Sequence, residues 1–185
     1  MRRYQDSDTI EMIKSVIIFI IISFPLLVCS QSEDAYSFVN IGKSAPTFTV
    51  RTIDGKVIDI DKLRGKVILI NFFATWCRPC MEEMPHINLL RQKYSDDEFV
   101  IISIGREHQI GELEIFNRNK KFSFNIAADP DRKIYSMYAE KMIPRNYIIN
   151  KKGVLIYQGY GFTLDSFNQM VKVIEKELKT KKLRN

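Results

Sequence analysis

From Ile41 onward, short runs of apolar residues alternate with segments in which apolar residues recur every three or four positions. The short runs are typical of strands buried in a sheet, and the wider spacing is typical of helices with one apolar face. The alternation predicts an α/β fold with a central mixed sheet flanked by helices, in the order βαβ followed by ββα. The predicted strands are 47–52, 57–60, 67–73, 99–104, 146–150 and 154–157, and the predicted helices are 80–94, 112–119, 130–139 and 164–178.

Turn-forming residues separate strands near both ends of this pattern. Asp54-Gly55 lies between the first two predicted strands and favours a two-residue hairpin, which gives the fold an N-terminal β extension. A second hairpin is predicted around residues 151–153. Thr163 is a candidate N-cap for the last helix, whose apolar face indicates core packing rather than a cofactor site and comprises Leu164, Phe167, Met170, Val171, Ile174 and Leu178.

The N-terminal segment has a different pattern. An apolar run over residues 15–28 follows a short region of mixed charge that contains Arg2, Arg3, Lys14, Asp6, Asp8 and Glu11. The run is shorter than the roughly 20 apolar residues of a transmembrane helix, and it suits the apolar core of an export signal. We therefore expect an export signal or membrane anchor at 1–28, a polar tether at 29–40, a folded domain at 41–179 and a basic tail at 180–185.

Cys29 stands where the apolar run ends. The sequence Leu26-Leu27-Val28-Cys29-Ser30 resembles a bacterial lipoprotein signal, in which the cysteine becomes the lipidated first residue of the mature chain. Such signals normally carry Gly, Ala or Ser before the cysteine, whereas this chain carries Val28. Lipidation at Cys29, an uncleaved anchor and an ordinary apolar thiol are the alternatives. The first two predict a membrane-tethered domain on the periplasmic side of a bacterial cell envelope.

Composition narrows the function classes further. The chain has 185 residues, of which 45% are hydrophobic, so it can form one domain with a substantial core. Its formal net charge is +6, but the basic residues are spread along the chain and are not interleaved with aromatic residues in a stripe. This distribution argues against a nucleic-acid-binding surface.

Two of the three cysteines, Cys77 and Cys80, directly follow the predicted strand 67–73. Their spacing is compatible with half of a metal site, a structural disulfide or a redox pair. A structural zinc ion needs four ligands, and apart from the pair the sequence offers only His86, His108 and Cys29. A disulfide that closes so short a loop adds little stability. No metal site is therefore expected, and a redox role is favoured.

The position of the pair indicates which sulfur attacks. A helix that begins at Cys77 directs its unpaired amides and partial positive charge at that sulfur, which stabilises the thiolate. Cys77 is therefore the expected nucleophile. Cys80 lies one turn further along the helix on the same side, as a resolving thiol should.

The stretch Asn71-Phe72-Phe73-Ala74-Thr75-Trp76-Cys77-Arg78-Pro79-Cys80-Met81-Glu82-Glu83-Met84-Pro85, together with Pro144, resembles the thioredoxin family, specifically the exported TlpA/ResA-like thiol:disulfide oxidoreductases. The resemblance covers about residues 41–179 and implies a thioredoxin fold. It implies that Cys77 attacks, that Cys80 resolves and that Trp76 is an exposed aromatic residue beside the site. It also implies a cis-proline at Pro144, while Pro85 is expected to interrupt the helix that begins at the cysteine pair.

We also expect specific roles for other residues near the cysteine pair. Asn71 stands where cytosolic thioredoxins carry a buried Asp, and Glu83 occupies the position of a glutamate that lies near the cysteines in this branch. Pro79 shapes the loop between the cysteines. The charge of Arg78 either favours the Cys77 thiolate or points to solvent. Arg145, which follows Pro144, is a candidate for reading an acidic partner surface.

The resemblance implies a reductant whose redox group is the Cys77–Cys80 disulfide itself, with no added cofactor. Its expected partners are disulfide-containing envelope proteins, apocytochrome c among them, and a transmembrane thiol-relay protein as electron donor. Two alternatives stay open. The segment that starts at residues 41–46 also occurs in thioredoxin-fold peroxidases, and a copper metallochaperone would use the two cysteines as soft ligands.

Overall fold

The computed structural model describes residues 36–180, which contain seven β-strands, four α-helices and a short 3₁₀-helix at Ile60–Leu63. The strands are β1 (Thr49–Arg51), β2 (Val57–Asp59), β3 (Val67–Phe73), β4 (Phe99–Arg106), β5 (Asn125–Asp129), β6 (Arg145–Ile149) and β7 (Leu155–Tyr160). The helices are α1 (Arg78–Lys93), α2 (Ile110–Lys120), α3 (Tyr135–Tyr138) and α4 (Leu164–Lys179).

Five strands form a mixed sheet in the order β5-β4-β3-β6-β7. Strand β3 is central and pairs in parallel with β4 and antiparallel with β6. All seven of its residues are buried, as expected for an almost entirely apolar strand covered on both faces. The predicted α/β thioredoxin fold with a mixed central sheet is confirmed. β1 and β2 form the separate antiparallel hairpin expected around Asp54-Gly55, where Gly55 has a φ of 86°.

Alternate residues of β3 pack into two separate core clusters, because successive side chains of a strand point to opposite faces. Val67, Leu69 and Phe73 pack with buried residues of α1 and α4. On the other face, the ring centroid of Phe72 lies 5.1 Å from that of Tyr135, 5.6 Å from that of Tyr138 and 6.0 Å from that of Tyr147.

Helix α4 begins at the predicted N-cap, where the Thr163 side chain accepts a hydrogen bond from the Ser166 amide. Its residues Phe167, Met170 and Ile174 are buried against the sheet, which confirms the predicted apolar face over most of its length. Leu164 is an exception, because it lies in the first turn and is exposed.

Three elements differ from the sequence prediction. Strand β5 was not predicted. The helix expected at 130–139 is reduced to the four residues of α3, because Arg132 adopts a left-handed φ of 58° and the Asp129 carboxylate accepts hydrogen bonds from the amides of Ile134 and Tyr135. Pro85 does not interrupt α1, which runs through it from Arg78 to Lys93.

The described chain begins with residues that pack along the domain. The Phe38 amide donates a hydrogen bond to the carbonyl of Tyr138, and the Glu140 amide donates to the carbonyl of Tyr36. None of the helices within residues 36–180 is both long and apolar enough to span a bilayer. The predicted export signal or anchor, Cys29, the first part of the tether and the end of the basic tail lie outside the described residues.

Candidate active site

The cysteine pair lies where β3 leads into α1, and its two residues are joined by a disulfide. Cys77 is the N-cap of α1, and its Sγ accepts a hydrogen bond from the Cys80 amide over 3.3 Å. Pro79 occupies the first turn, where the missing amide hydrogen costs no helical hydrogen bond. The unpaired amides of the first turn therefore face Cys77, which is the geometry that stabilises a thiolate.

The two sulfurs differ in accessibility. Cys77 is 5% exposed, whereas Cys80 is completely buried. A partner disulfide can therefore approach Cys77 more readily than Cys80, as expected for an attacking and a resolving thiol.

Trp76 precedes the pair and is 65% exposed, as the resemblance implied. The guanidinium of Arg106, at the end of β4, lies 5.9 Å from the centroid of a Trp76 ring, within the range of a cation–π contact.

Arg78 points to solvent and forms an ion pair with Glu82, with a distance of 3.0 Å between Nε and Oε1. Of its two proposed roles, the structure favours the solvent-facing one.

Pro144 follows a cis peptide bond with Ile143, as predicted. It directly precedes β6, the antiparallel neighbour of β3. Ile143 packs against both core clusters, including the one that contains Cys77 and Cys80.

Glu83 is buried, with only 2% of its surface exposed, on the face of α1 that also carries Cys80. Its Oε1 accepts a 2.6 Å hydrogen bond from Asn146 Nδ2, and its Oε2 accepts a 3.0 Å hydrogen bond from Asn71 Nδ2. Asn71 Nδ2 also donates to Asn146 Oδ1 over 2.9 Å. These two asparagines lie opposite each other on β3 and β6, so the sheet positions both donors beneath the helix.

The environment of Glu83 gives it an unusual proton affinity. Burial raises the pKa of Glu83 to about 8, although the hydrogen bonds from Asn146 and Asn71 act in the opposite direction. The Glu83 carboxylate in turn adds to the effect of burial in raising the pKa of Tyr157. A carboxyl group with this pKa can accept and return a proton near neutral pH, one helical turn from Cys80.

The two histidines have separate environments. His86 packs between aromatic rings, with centroids 5.4 Å from Phe162 and 5.5 Å from Phe167. His108 is buried beside the loop that precedes the cysteines and accepts a hydrogen bond from the Thr75 amide. Within residues 36–180, no group of three or more His, Cys, Asp or Glu side chains is placed to hold a metal ion.

The prediction that Arg145 reads a partner surface is wrong, because its side chain is completely buried. Its Nε donates to the carbonyl of Lys141 over 2.8 Å, and its Nη1 donates to the Tyr147 hydroxyl over 3.2 Å. Its guanidinium also lies 5.5 Å from the ring centroid of Tyr160. Arg145 alternates with Asn146 along β6 and therefore faces the opposite side of the sheet from the cysteine pair.

Sequence reasoning missed three residues that contact the site: Asn146, Arg106 and His108. The alternation of Asn146 with Arg145 and Tyr147 places it on the face of β6 that also carries Ile148, and this pattern could have revealed it. Arg106 ends β4 and His108 lies two residues later. Parallel strands end at the same edge of a sheet, so the proximity of both residues to the end of β3 could also have been inferred.

Comparison with known proteins defines the class. The family model described as AhpC/TSA family matches residues 41–158, and the chain therefore belongs to that family. A thiol-disulfide oxidoreductase ResA from Bacillus thuringiensis is 34% identical over 123 residues, which cover 66% of this chain and 71% of the relative. ResA from Bacillus subtilis is 27% identical over 142 residues, which cover 71% of this chain and 77% of the relative.

Solved structures give the same fold. A Bacteroides thetaiotaomicron protein described as a candidate protein disulfide isomerase aligns with a TM-score of 0.73 and 30% identity, over 78% of this chain and 93% of its own. An exposed lipoprotein thioredoxin from Streptococcus pneumoniae aligns with a TM-score of 0.60 and 22% identity, over 69% of this chain and 99% of its own. With the Cys77–Cys80 disulfide and the ResA relatives, the chain is a ResA-like thiol-disulfide oxidoreductase of the thioredoxin fold.

Proposed function

We propose that the chain is an exported, membrane-tethered oxidoreductase that reduces disulfides in other envelope proteins. The observation that carries this proposal is the buried carboxyl group of Glu83 on the same face of α1 as Cys80. When ionised, this carboxyl group opposes thiolate formation, and when neutral it adds no positive charge that would favour the thiolate. Arg78, which would favour the thiolate, points to solvent and is paired with Glu82. A dithiol whose thiolate is weakly stabilised is a reductant, because strong oxidants of this class owe their potential to a stabilised reduced form.

The reaction consists of two exchanges. The Cys77 thiolate attacks one sulfur of the partner disulfide, a Cys77–partner bond forms, and the other partner sulfur leaves as a thiolate that takes up a proton. The ionised form of Glu83 then takes the proton of Cys80, and Cys80 attacks Cys77 Sγ to form the Cys77–Cys80 disulfide. The second partner sulfur leaves as a thiolate and takes up a proton. Two electrons thus pass from the chain to the partner.

The disulfide is the only redox group in this scheme, and no added cofactor takes part. A dithiol donor restores the reduced pair by the reverse exchange. We assign this role to a transmembrane thiol-relay protein. An oxidised apocytochrome c, which carries a cysteine pair, is the first substrate to assay.

The reduction potential of the pair tests the direction. We expect a value of about −270 mV, as in thioredoxin, rather than about −120 mV, as in a strong oxidant. Above about pH 8, where Glu83 is ionised, Glu83→Gln should raise the potential, because it removes the carboxylate that opposes the thiolate. Glu82→Gln is the matched control, since Glu82 lies on the exposed side of α1 and is paired with Arg78. A potential near that of a strong oxidant, or equal shifts in the two variants, would contradict the proposal.

Membrane tethering is supported by the apolar run at 15–28 and by Cys29 at its end. One of the structural neighbours is itself described as an exposed lipoprotein. In a bacterial host, labelled fatty acid should be incorporated into the full chain and not into Cys29→Ala. Labelling of both proteins would refute lipidation at Cys29, and an unlabelled chain that stays with the membrane would identify the run at 15–28 as the anchor.

A second function, peroxide reduction, is favoured by the family match that begins at residue 41. Cys77 would then be oxidised by peroxide to a sulfenic acid, and Cys80 would displace water to form the disulfide. Peroxide consumption by the reduced full chain measures this activity directly. A rate well above that of insulin reduction would make peroxide the preferred oxidant.

A further inference from the structure

The turn that follows β4 contacts the loop that carries the cysteine pair. In this turn Glu107 adopts a left-handed φ of 63°, which is uncommon for a residue other than glycine. The residues on either side of it both contact the loop that follows β3: Arg106 lies over Trp76, and His108 is bonded to Thr75. The turn after β4 therefore contacts the loop between β3 and α1 at both Thr75 and Trp76.

The His108 contact has a defined direction. Its Nε2 accepts a 3.0 Å hydrogen bond from the Thr75 amide and lies 3.3 Å from the Thr75 hydroxyl. A backbone amide can only donate, so Nε2 carries no proton and Nδ1 does. Nδ1 lies 3.2 Å from Glu112 Oε2 and donates to it.

Glu112 is itself held in place. Its Oε2 accepts a 2.8 Å hydrogen bond from the Gln109 amide, as part of the capping box at the start of α2. The Gln109 amide, followed by the His108 ring, lowers the pKa of Glu112, so its carboxylate is ionised near neutral pH. The result is a chain of hydrogen bonds from the start of α2 through an imidazole that is 7% exposed to the amide two residues before Cys77.

We propose that His108, oriented by Glu112, is a positioning residue for thiol-disulfide exchange. It fixes the Thr75 amide and thereby the conformation of the loop that presents Trp76 and Cys77 to a partner. His108 does not touch the sulfurs or take part in proton transfer. Its effect on the rate arises because an exchange reaction requires the attacking sulfur to be aligned with the partner disulfide.

Two substitutions in the full chain separate positioning from general stability. In His108→Gln the side-chain amide oxygen can replace Nε2 as an acceptor, whereas His108→Leu fills a similar space without an acceptor. We expect His108→Leu to lower kcat/KM for insulin reduction by about tenfold, the factor that corresponds to one net hydrogen bond. His108→Gln should restore most of the rate. His86→Leu is the matched control, because His86 packs against Phe162 and Phe167 instead.

Measurements at Thr75 and Trp76 decide whether a change in the loop conformation causes the loss of activity. Hydrogen exchange at the Thr75 amide should be at least about tenfold faster in His108→Leu than in the wild type, and close to the wild-type rate in His108→Gln and His86→Leu. Trp76 is the only tryptophan in the sequence, so its fluorescence should change in His108→Leu alone. Unchanged Thr75 exchange, or equal loss of activity in the Gln and Leu variants, would overturn the proposal.

A measurement on the wild-type chain guards against a variant that fails to fold. The chain has two histidines, so nitrogen-15 spectra of the imidazole rings contain two sets of signals. At a pH where the ring is neutral, His108 should carry its proton on Nδ1. A neutral ring protonated on Nε2 cannot accept from the Thr75 amide and would overturn the proposal without any substitution.

Discussion

Glu83 on α1 and Asn146 on β6 are 63 positions apart in the sequence, yet Asn146 Nδ2 donates a 2.6 Å hydrogen bond to Glu83 Oε1. The contact forms because β6 pairs antiparallel with β3, which brings Asn146 opposite Asn71 and beneath the helix that follows β3. The two asparagines supply donors to a carboxyl group that is otherwise removed from water. Their hydrogen bonds partly offset the free-energy cost of burying the Glu83 carboxyl group, while burial still keeps its pKa high.

This environment predicts a specific dependence of stability on pH. Burial raises the pKa of Glu83 from 4.5 to about 8, so the folded chain keeps a proton that the unfolded chain releases above pH 4.5. The contribution of this proton to stability is complete below that pH and is lost as the pH rises through about 8. Over this interval Glu83 should lower the free energy of unfolding of the oxidised chain by about 1.4 kcal/mol for each pH unit.

Glu83→Gln should remove this slope, so the variant becomes more stable than the wild type as the pH rises. Urea denaturation of the oxidised proteins at several pH values between 5 and 8 measures the difference. Glu82→Gln should retain the slope, because Glu82 lies on the exposed side of the same helix. Parallel stability curves for wild type and Glu83→Gln would show that Glu83 ionises as it does in water.

The hydrogen bonds from Asn146 and Asn71 lead to a second prediction, which concerns the pKa of Glu83. Asn146→Leu removes the shorter hydrogen bond to Glu83, a bond that acts to lower the pKa, so the pKa of Glu83 should rise further above its present value of about 8. Asn71→Leu should raise it less, because its bond to Glu83 is longer, at 3.0 Å. Infrared titration of the protonated carboxyl band, taken as the difference from Glu83→Gln, gives the midpoint. A lower midpoint in Asn146→Leu would contradict the assigned role.

The aromatic cluster on the opposite face of the sheet makes a prediction about stability alone. Phe72 is fully buried among the rings of Tyr135, Tyr138 and Tyr147. Phe72→Ala should lower the free energy of unfolding by about 3–5 kcal/mol through lost burial and the cavity it leaves. Phe38→Ala is the control, because Phe38 is 59% exposed and should change stability by less than about 1 kcal/mol. Equal losses in the two variants would show that Phe72 is not part of a packed core.

Much of the fold could be predicted because its main elements carry strong local signals. The apolar run of β3, the Asp54-Gly55 turn and the Thr163 cap each determine their structure within a few residues. Strand β5 has no such signal. Its sequence, Asn125 to Asp129, combines polar ends with two alanines, and alanine has a low strand propensity. It becomes a strand through parallel pairing with β4, a tertiary contact that no local pattern reveals.

The same distinction applies to the site. The cysteine pair, Trp76, the cis peptide before Pro144 and the position of Glu83 near Cys80 followed from the motif. The positions of the Arg145 and His108 side chains depend on packing between strands, which the motif does not reveal. Arg145 follows Pro144 directly but faces the opposite side of the sheet, where tyrosines and a carbonyl surround its guanidinium. His108, in a stretch that reads as a polar loop, is buried because that loop folds over the end of β3.

Cys77 attacks and Cys80 resolves in the proposed reaction, and trapping of the mixed-disulfide intermediate separates these two roles. The reduced full chain, as wild type, Cys77→Ser and Cys80→Ser, is mixed with a disulfide protein such as insulin, and the products are separated without reductant. We predict that Cys80→Ser accumulates a mixed disulfide through Cys77, while Cys77→Ser forms none and reduces no insulin. Full activity in Cys77→Ser, or a mixed disulfide that forms through Cys80 instead, would rule out Cys77 as the attacking thiol.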